Sequence, residues 1–132
     1  MSGRDSLKIL AKMQEAAIRA NSFIEGMSRA EFSKDPKTQD AVAMSLIHIG
    51  EAASVLMRQQ PGIDAAYPQI RWRELTGMRE RMTQSHYNLD TDLLWNTAHD
   101  ALPALAAALA SATRSSMQVT QAQNSNTSNG KS

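Results

Sequence analysis

The sequence predicts an all-α protein, and both its composition and its patterning lead to that fold class. Alanine, aliphatic residues and methionine carry most of the hydrophobic fraction of 42%, whereas aromatic residues make up only 5%. β-Branched residues are few and never form the alternating run that is typical of a strand. Apolar residues instead recur at intervals of three and four, so we expect one domain built as an antiparallel bundle of four main helices.

The first helix is predicted from Asp5 to Met27, with Asp5 or Ser6 as its N-cap. Its apolar face is formed by residues spaced three or four apart, namely Leu10, Met13, Ala17, Ala20, Ile24 and Met27. This spacing is typical of a seam between packed helices. Residues 28–40 are interpreted as a short link, in which Pro36 marks the start of the next helix.

The second helix is predicted from Thr38 to Gln59, and Pro61 and Gly62 end it. It is apolar on more than one side, which is typical of a helix at the centre of a bundle or at an interface. His48 and Glu51 lie three residues apart on this helix. Because no third ligand stands at a suitable spacing, a buried or interfacial polar pair is the favoured interpretation over a metal site.

A short turn at residues 63–67 is predicted to lead into the third helix, which runs from Arg71 to about Ser85. The last helix is predicted to begin at Asp90 or Thr91, either of which can cap it. Within that helix, Pro103 lacks a backbone donor and clashes with the preceding turn. We therefore expect a kink or a restart there.

After about Thr113 the composition becomes polar and of low complexity. Such a segment cannot bury enough apolar surface to become ordered. The sequence thus predicts a helical domain over residues 1–113 and a disordered polar tail over residues 114–132.

Several classes of function are disfavoured by the composition. The chain has no cysteine, so it has no disulfide or thiol chemistry, and its net charge of +1 excludes a strongly basic coat for nucleic acid. We find no Gly-rich phosphate loop, nucleophile elbow or zinc spacing, so no metal or cofactor is expected. The N-terminus lacks the apolar core of a signal peptide, and no uninterrupted apolar run reaches the length of a membrane span. A cytoplasmic protein without membrane contact is therefore expected.

The polar stretch from Trp72 to Asp90 is the best candidate for chemistry. Arg79 and His86 lie seven residues apart, so on one continuous helix they would share a face. A permanent cation beside a group that titrates near neutrality suits phosphodiester chemistry, because the arginine neutralises the phosphate while the histidine moves a proton. Taken alone, however, the two residues favour a solvated helix edge or a hydrogen-bonded interface over a catalytic pair.

Longer segments resemble the HepT-like members of the HEPN superfamily over about residues 4–110. They are RDSLKILAKMQEAA, FIEGMSRAEFSKDPKTQDAVAMSLIHIGEAA, YPQIRWRELTGMRERM and NLDTDLLWNTAHDALPAL. The resemblance implies a bundle of four or five helices that forms a homodimer. It also implies a ribonuclease toxin, acting on RNA and paired with a minimal nucleotidyltransferase antitoxin that adds AMP to a tyrosine. Cleavage in this superfamily needs no metal and uses an arginine and a histidine with four to six residues between them, a spacing that both Arg79 and Arg81 have to His86.

The chain departs from the family's usual run, which is Arg-Asn, three residues, then His-x-Tyr. An alignment without gaps between the two tryptophans matches Arg79 to the arginine. Glu80 then takes the asparagine position, Gln84 the histidine position and His86 the tyrosine position. Glutamine cannot act as a general base at neutral pH, so the resemblance leaves the catalytic base unassigned.

Three interpretations remain open. In the first, His86 replaces the missing histidine, Arg79 and Arg81 are the candidate cations, and Tyr87 is the candidate for AMP addition. In the second, the site is inactive, and the bundle serves as a binding partner of a nucleotidyltransferase. The third is a purely structural bundle, which gives no reason for the polar cluster between Arg79 and Tyr87.

Overall fold

A computed structural model describes residues 3–84 and 90–129, with side chains for 3–82 and 90–115. Over these ranges the chain is helical and contains no strand, which confirms the all-α fold class. The helices are α1 (Gly3–Phe23), α2 (Arg29–Ser33), α3 (Pro36–Gln59), α4 (Ile63–Ala66), α5 (Trp72–Gln84), α6 (Thr91–Asn96), a π-helical turn (Thr97–Ala101) and α7 (Leu102–Asn129).

The four long helices form a bundle in which α1 and α3 are central. α1 packs against α3 and α7, and α3 packs in turn against α5, so that the spatial order is α7, α1, α3, α5. The predicted apolar faces supply one common core. Its largest fully buried side chains are Leu10, Met13, Phe32, Val42, Leu46, Ile49, Leu56, Ile63, Leu94, Leu102 and Leu109. Burial of each such side chain contributes roughly 1.5–3 kcal/mol of transfer free energy.

The start of α1 differs from the prediction. The helix begins at Gly3, so Asp5 lies within its first turn and is not its N-cap. Ser6 is buried, and its hydroxyl donates a hydrogen bond to the side chain of Gln60 at the end of α3. Its role is therefore a tertiary contact between two helices. α1 also ends earlier than predicted, at Phe23.

The segment interpreted as a link contains the short helix α2. Ser28 and Glu31 form a capping box, in which the Ser28 hydroxyl accepts from the Glu31 N–H and the Glu31 carboxylate accepts from the Ser28 N–H. Hydrogen bonds to the carboxylate, first from the Ser28 N–H and then from the Ser28 hydroxyl, lower the pKa of Glu31 below its ordinary value. The spacing Ser-x-x-Glu was visible in the sequence and could have predicted this helix.

Helix α3 begins at Pro36, as expected, with Asp35 as its N-cap. Hydrogen bonds from the hydroxyl and then the N–H of Thr38 lower the pKa of Asp35. Among the described residues, α3 alone is long and apolar enough to cross a membrane, contrary to the expectation from the sequence. However, 44% of its apolar window is buried inside the bundle, and core helices of soluble proteins have the same composition.

The predicted break at Pro103 takes the form of the π-helical turn that precedes α7. There the N–H of Leu102 bonds to the carbonyl oxygen of Thr97, five residues earlier. Proline has no N–H to offer the Ala98 carbonyl, and the side-chain amide of Asn21 in α1 donates to that oxygen at 2.9 Å. The break is therefore tied to a neighbouring helix.

Helix α7 continues to Asn129, into the stretch for which the sequence predicts disorder. That stretch contains no proline and no glycine before Gly130, so nothing in its local chemistry ends the helix. The division into a domain of residues 1–113 and a polar tail stays a prediction.

Candidate active site

Helix α5 and the residue before it concentrate the positive charge of the protein. Residues 71–81 contain four arginines and two glutamates, a net charge of 4 − 2 = +2, whereas the whole chain carries +1. All four arginine side chains are exposed. The opposite face of α5 is buried in the core through Trp72, Leu75, Met78 and Met82. The helix is thus anchored along one side and presents guanidinium groups to solvent on the other.

The backbone of Arg79 lies against α3 at Gly50. A Cβ atom added to Gly50 of α3 would stand 2.7 Å from the Leu75 carbonyl oxygen and 3.1 Å from the Arg79 nitrogen. Both distances are shorter than ordinary van der Waals contacts. Because Gly50 has no side chain, the two helices can touch here through their backbones.

Arg81 follows a different course along the same helix. Its Nη2 donates to the carbonyl oxygen of Glu74 at 3.0 Å, seven residues earlier. The guanidinium passes beside Gly77, where an added Cβ would lie 3.9 Å from Nη2. The side chain of Arg81 is therefore directed toward the N-terminal end of α5.

The other predicted site residues are only partly covered by the structure. Glu80 is exposed on α5, and Gln84 is the last residue of that helix. His86 and Tyr87 lie outside the described residues. The predicted pairing of Arg79 with His86 therefore stays a prediction.

The polar pair predicted on the second helix is not buried. His48 and Glu51 are both exposed, and both line a surface groove of about 630 Å³ between α1 and α3, together with Lys12 and Arg19. The pair therefore lies on a face of α3 that turns away from the core, which excludes burial within one chain, and the interfacial role stays a prediction. Within the described part of the chain, no three His, Cys, Asp or Glu residues are grouped so that they could hold a metal.

A second groove, which the sequence did not predict, separates α5 from α7. Its volume is about 460 Å³. Its apolar lining comes mainly from Ile70, Leu75, Met78, Ala101, Leu102, Ala104, Leu105 and Ala108. The sequence does contain a signal for it, since no charged residue occurs from Ala101 to Thr113 although several of these positions are exposed.

The one described histidine outside α3 lies on the π-helical turn. The ring of His99 stacks on Trp95 with a centroid distance of 5.2 Å, and its Nδ1 lies 2.7 Å from a carboxylate oxygen of Asp100. Trp95 in turn contacts the buried ring of Phe32. These contacts hold the imidazole of His99 on the protein surface, next to α6.

Comparison with known proteins places this arrangement in a family. The sequence profile of the family described as Ribonuclease HepT-like matches residues 13–112. The chain is 31% identical to the protein named Probable ribonuclease HepT of Thermococcus cleftensis over 104 residues, which are 79% of this chain and 89% of that one.

Two proteins of Methanocaldococcus jannaschii that are described as candidate RNases are also similar. One is 31% identical over 61% of this chain and 64% of its own length, and the other is 29% identical over 78% of this chain and 83% of its own length. No solved structure matches the chain. Since the family profile spans well over half of the sequence, this all-α protein belongs to the HepT-like ribonuclease family.

Proposed function

We propose that this protein is a metal-independent endoribonuclease in which Arg79 stabilises the phosphate that is being cleaved. Membership of the HepT-like ribonuclease family supports RNA as the substrate. The exposed arginines of α5, fixed to the core through the opposite face of the helix, are the observation that carries the proposal. Guanidinium groups suit this task because they stay charged and donate two hydrogen bonds to a phosphate.

The proposed reaction is an attack within the RNA strand. His86 takes the proton from a ribose 2′-hydroxyl, and the 2′-oxygen forms a bond to the adjacent phosphorus. The bond from phosphorus to the 5′-oxygen breaks, and the leaving oxygen takes up a proton from a water molecule, whose hydroxide is neutralised by the proton that His86 holds. The products are a 2′,3′-cyclic phosphate and a free 5′-hydroxyl. Arg79 stabilises the extra negative charge of the transition state.

Arg81 is assigned a secondary role in this reaction. Its guanidinium would first have to leave the carbonyl oxygen of Glu74 before it could reach a phosphate. Tyr87 is the proposed acceptor of AMP. Glu80 and Gln84 flank the RNA path, and Glu80 places a negative charge where a phosphate would approach.

We further propose that the protein is a cytoplasmic toxin that forms a homodimer and pairs with a minimal nucleotidyltransferase antitoxin. The exposed side of α3 supports a dimer contact there. Met44 is 51% exposed on it, and less than half of the apolar window of α3 is buried within one chain. An unpartnered apolar surface of this kind favours association with a second copy.

The alternative function is that of an inactive bundle that binds the nucleotidyltransferase. The presence of Gln84 at the family's histidine position favours it, since an amide cannot accept the proton of the 2′-hydroxyl at neutral pH. The two functions differ in one measurable property, which is cleavage of RNA by the isolated protein.

The test is incubation of the purified protein with total RNA in EDTA, beside the variants Arg79→Ala and His86→Ala. We expect the wild type to cleave RNA without metal. Loss of the arginine should lower the rate by about 100- to 1,000-fold, as for removal of one donor to a developing anion. Loss of the general base should lower it by about 100- to 10,000-fold.

Two results would contradict the proposal. Cleavage by both variants at the wild-type rate would show that the assigned residues are wrong. No cleavage by the wild type, with its helical circular dichroism intact, would favour the inactive binding partner.

A further inference from the structure

We infer that Gly50 is a positioning residue for Arg79, and that the absence of a side chain at position 50 sets the place of the arginine on the protein surface. The inference rests on the proposed function, because it gives Gly50 a role in RNA cleavage through Arg79. Gly50 itself lies in α3 and does not reach the substrate.

The contact between Gly50 and α5 involves one backbone hydrogen bond. In an α-helix the N–H of residue 79 donates to the carbonyl oxygen of residue 75. An added Cβ at Gly50 would lie 2.7 Å from that oxygen and 3.1 Å from that nitrogen. It would also lie 3.5 Å from the Cβ of Met78. Gly50 therefore packs directly against the hydrogen bond that holds Arg79 in the helix.

Backbone conformation does not explain the glycine. The only described glycines with a positive φ are Gly26 and Gly62, so Gly50 adopts a conformation that is open to any residue. Glycine in the middle of a helix is less stable than alanine by roughly 0.5–1 kcal/mol. The close approach of α5 is the feature of the structure that requires it.

A methyl group at position 50 would meet backbone atoms, which cannot rotate away as a side chain can. Something must then shift, and because α3 is also held by α1 on its other side, we expect α5 to move away from α3 or the turn between Leu75 and Arg79 to break. Either response moves the Cα of Arg79. A displacement of about 1 Å in a catalytic group can cost about 100-fold in rate.

The helix that carries Arg79 also contains a matched control. Gly77 is a second glycine inside a helix, but a Cβ added there would meet only the guanidinium of Arg81, at 3.9–4.0 Å. This is an ordinary contact with the end of a flexible side chain. Gly50→Ala and Gly77→Ala therefore add the same methyl group, the first where neighbouring backbone leaves no space and the second where space is available.

The experiment measures kcat and KM on one RNA oligonucleotide in EDTA for the wild type, Gly50→Ala, Gly77→Ala and Arg79→Ala. The folded fraction of each variant is first measured by circular dichroism. We expect Gly50→Ala to lower kcat by about 100-fold with KM within about twofold, because the arginine acts in the transition state. Gly77→Ala should keep both constants.

The outcomes separate this inference from the proposed function. If folded Gly50→Ala retains kcat within about threefold while Arg79→Ala is inactive, Gly50 does not position the arginine. If Arg79→Ala cleaves as fast as the wild type, the proposed function itself has failed. A kcat loss that is accounted for by the unfolded fraction alone would also overturn the inference.

A second measurement applies even if Gly50→Ala does not fold. Hydrogen exchange in the wild type reports on the amide of Arg79, which the contact with Gly50 should shield. We expect it to exchange more slowly than the amides of Thr76 and Glu80 on the same helix. Equal exchange rates at the three amides would overturn the inference.

Discussion

The two flanks of helix α5 are built in opposite ways. On one flank α5 lies so close to α3 that its backbone leaves no room for a methyl group at position 50. On the other flank a groove of about 460 Å³ separates α5 from α7. The same helix therefore meets backbone atoms of α3 on one side and borders a groove on the other.

This difference between the two flanks allows α5 to be held in place by α3 and still be open to solvent on the side of α7. The tight flank lies beside Arg79, where the proposed chemistry needs a fixed position. The open flank is lined mainly by apolar side chains, with the charged residues Arg71, Glu74 and Asp100 also bordering the groove. Close packing beside Arg79 suits the proposed chemistry, because a small displacement of a catalytic group lowers the rate strongly.

The largest effect on stability is expected from filling the tight flank. Gly50→Ala should lower the free energy of unfolding by about 1–3 kcal/mol, because overpacking forces the backbone to shift. Gly77→Ala should instead raise it by about 0.4–1 kcal/mol, because alanine loses less chain entropy on folding. Urea denaturation followed by circular dichroism measures both values.

The change in the free energy of unfolding is expected to have opposite signs for Gly50→Ala and Gly77→Ala. If both substitutions stabilised the protein, the α3–α5 contact would be looser than described. If both destabilised it by similar amounts, the cost would belong to α5 in general and not to the contact at Gly50.

A smaller effect is expected from filling the open flank. Ala104 is exposed and lines the groove, so Ala104→Leu should change the free energy of unfolding by no more than about 0.5 kcal/mol. Ala53 is fully buried in α3, and the same change there should cost about 1–3 kcal/mol. The two variants are compared by their urea denaturation midpoints, provided that the slope of the free energy of unfolding against urea concentration is unchanged. A large cost at Ala104 would mean that the groove is closed in solution.

Much of this fold could be predicted from local patterns. The spacing of apolar residues predicted the long helices, and Pro36, Asp90 and Pro103 marked starts or breaks where the structure has them. The short helix α2 was missed because a link was assumed, although its capping box is a local signal. The role of Ser6 could not be predicted, since its partner Gln60 is distant in sequence.

The candidate site was less predictable for the same physical reason. Charge and helical spacing made Arg79 a candidate, and the resemblance to the HepT-like family gave it the role of the catalytic cation. The course of Arg81 and the closeness of Gly50 depend on how side chains and helices pack, which periodicity does not contain. For His48 the sequence could not decide between burial and an interface, because a helix that is apolar on several sides can turn a broad face outward as well as inward.

Whether Arg79 acts in the transition state can be decided by comparing two arginines on α5. Arg73 is exposed in the first turn of the same helix and has the same charge. The measurement is kcat and KM for RNA cleavage in EDTA by the wild type, Arg79→Ala and Arg73→Ala. We predict that Arg79→Ala lowers kcat by about 100-fold or more, whereas Arg73→Ala raises KM modestly and leaves kcat unchanged. If both substitutions instead raised KM equally and left kcat unchanged, α5 would attract RNA only through its charge. That result would contradict a role for Arg79 in the transition state.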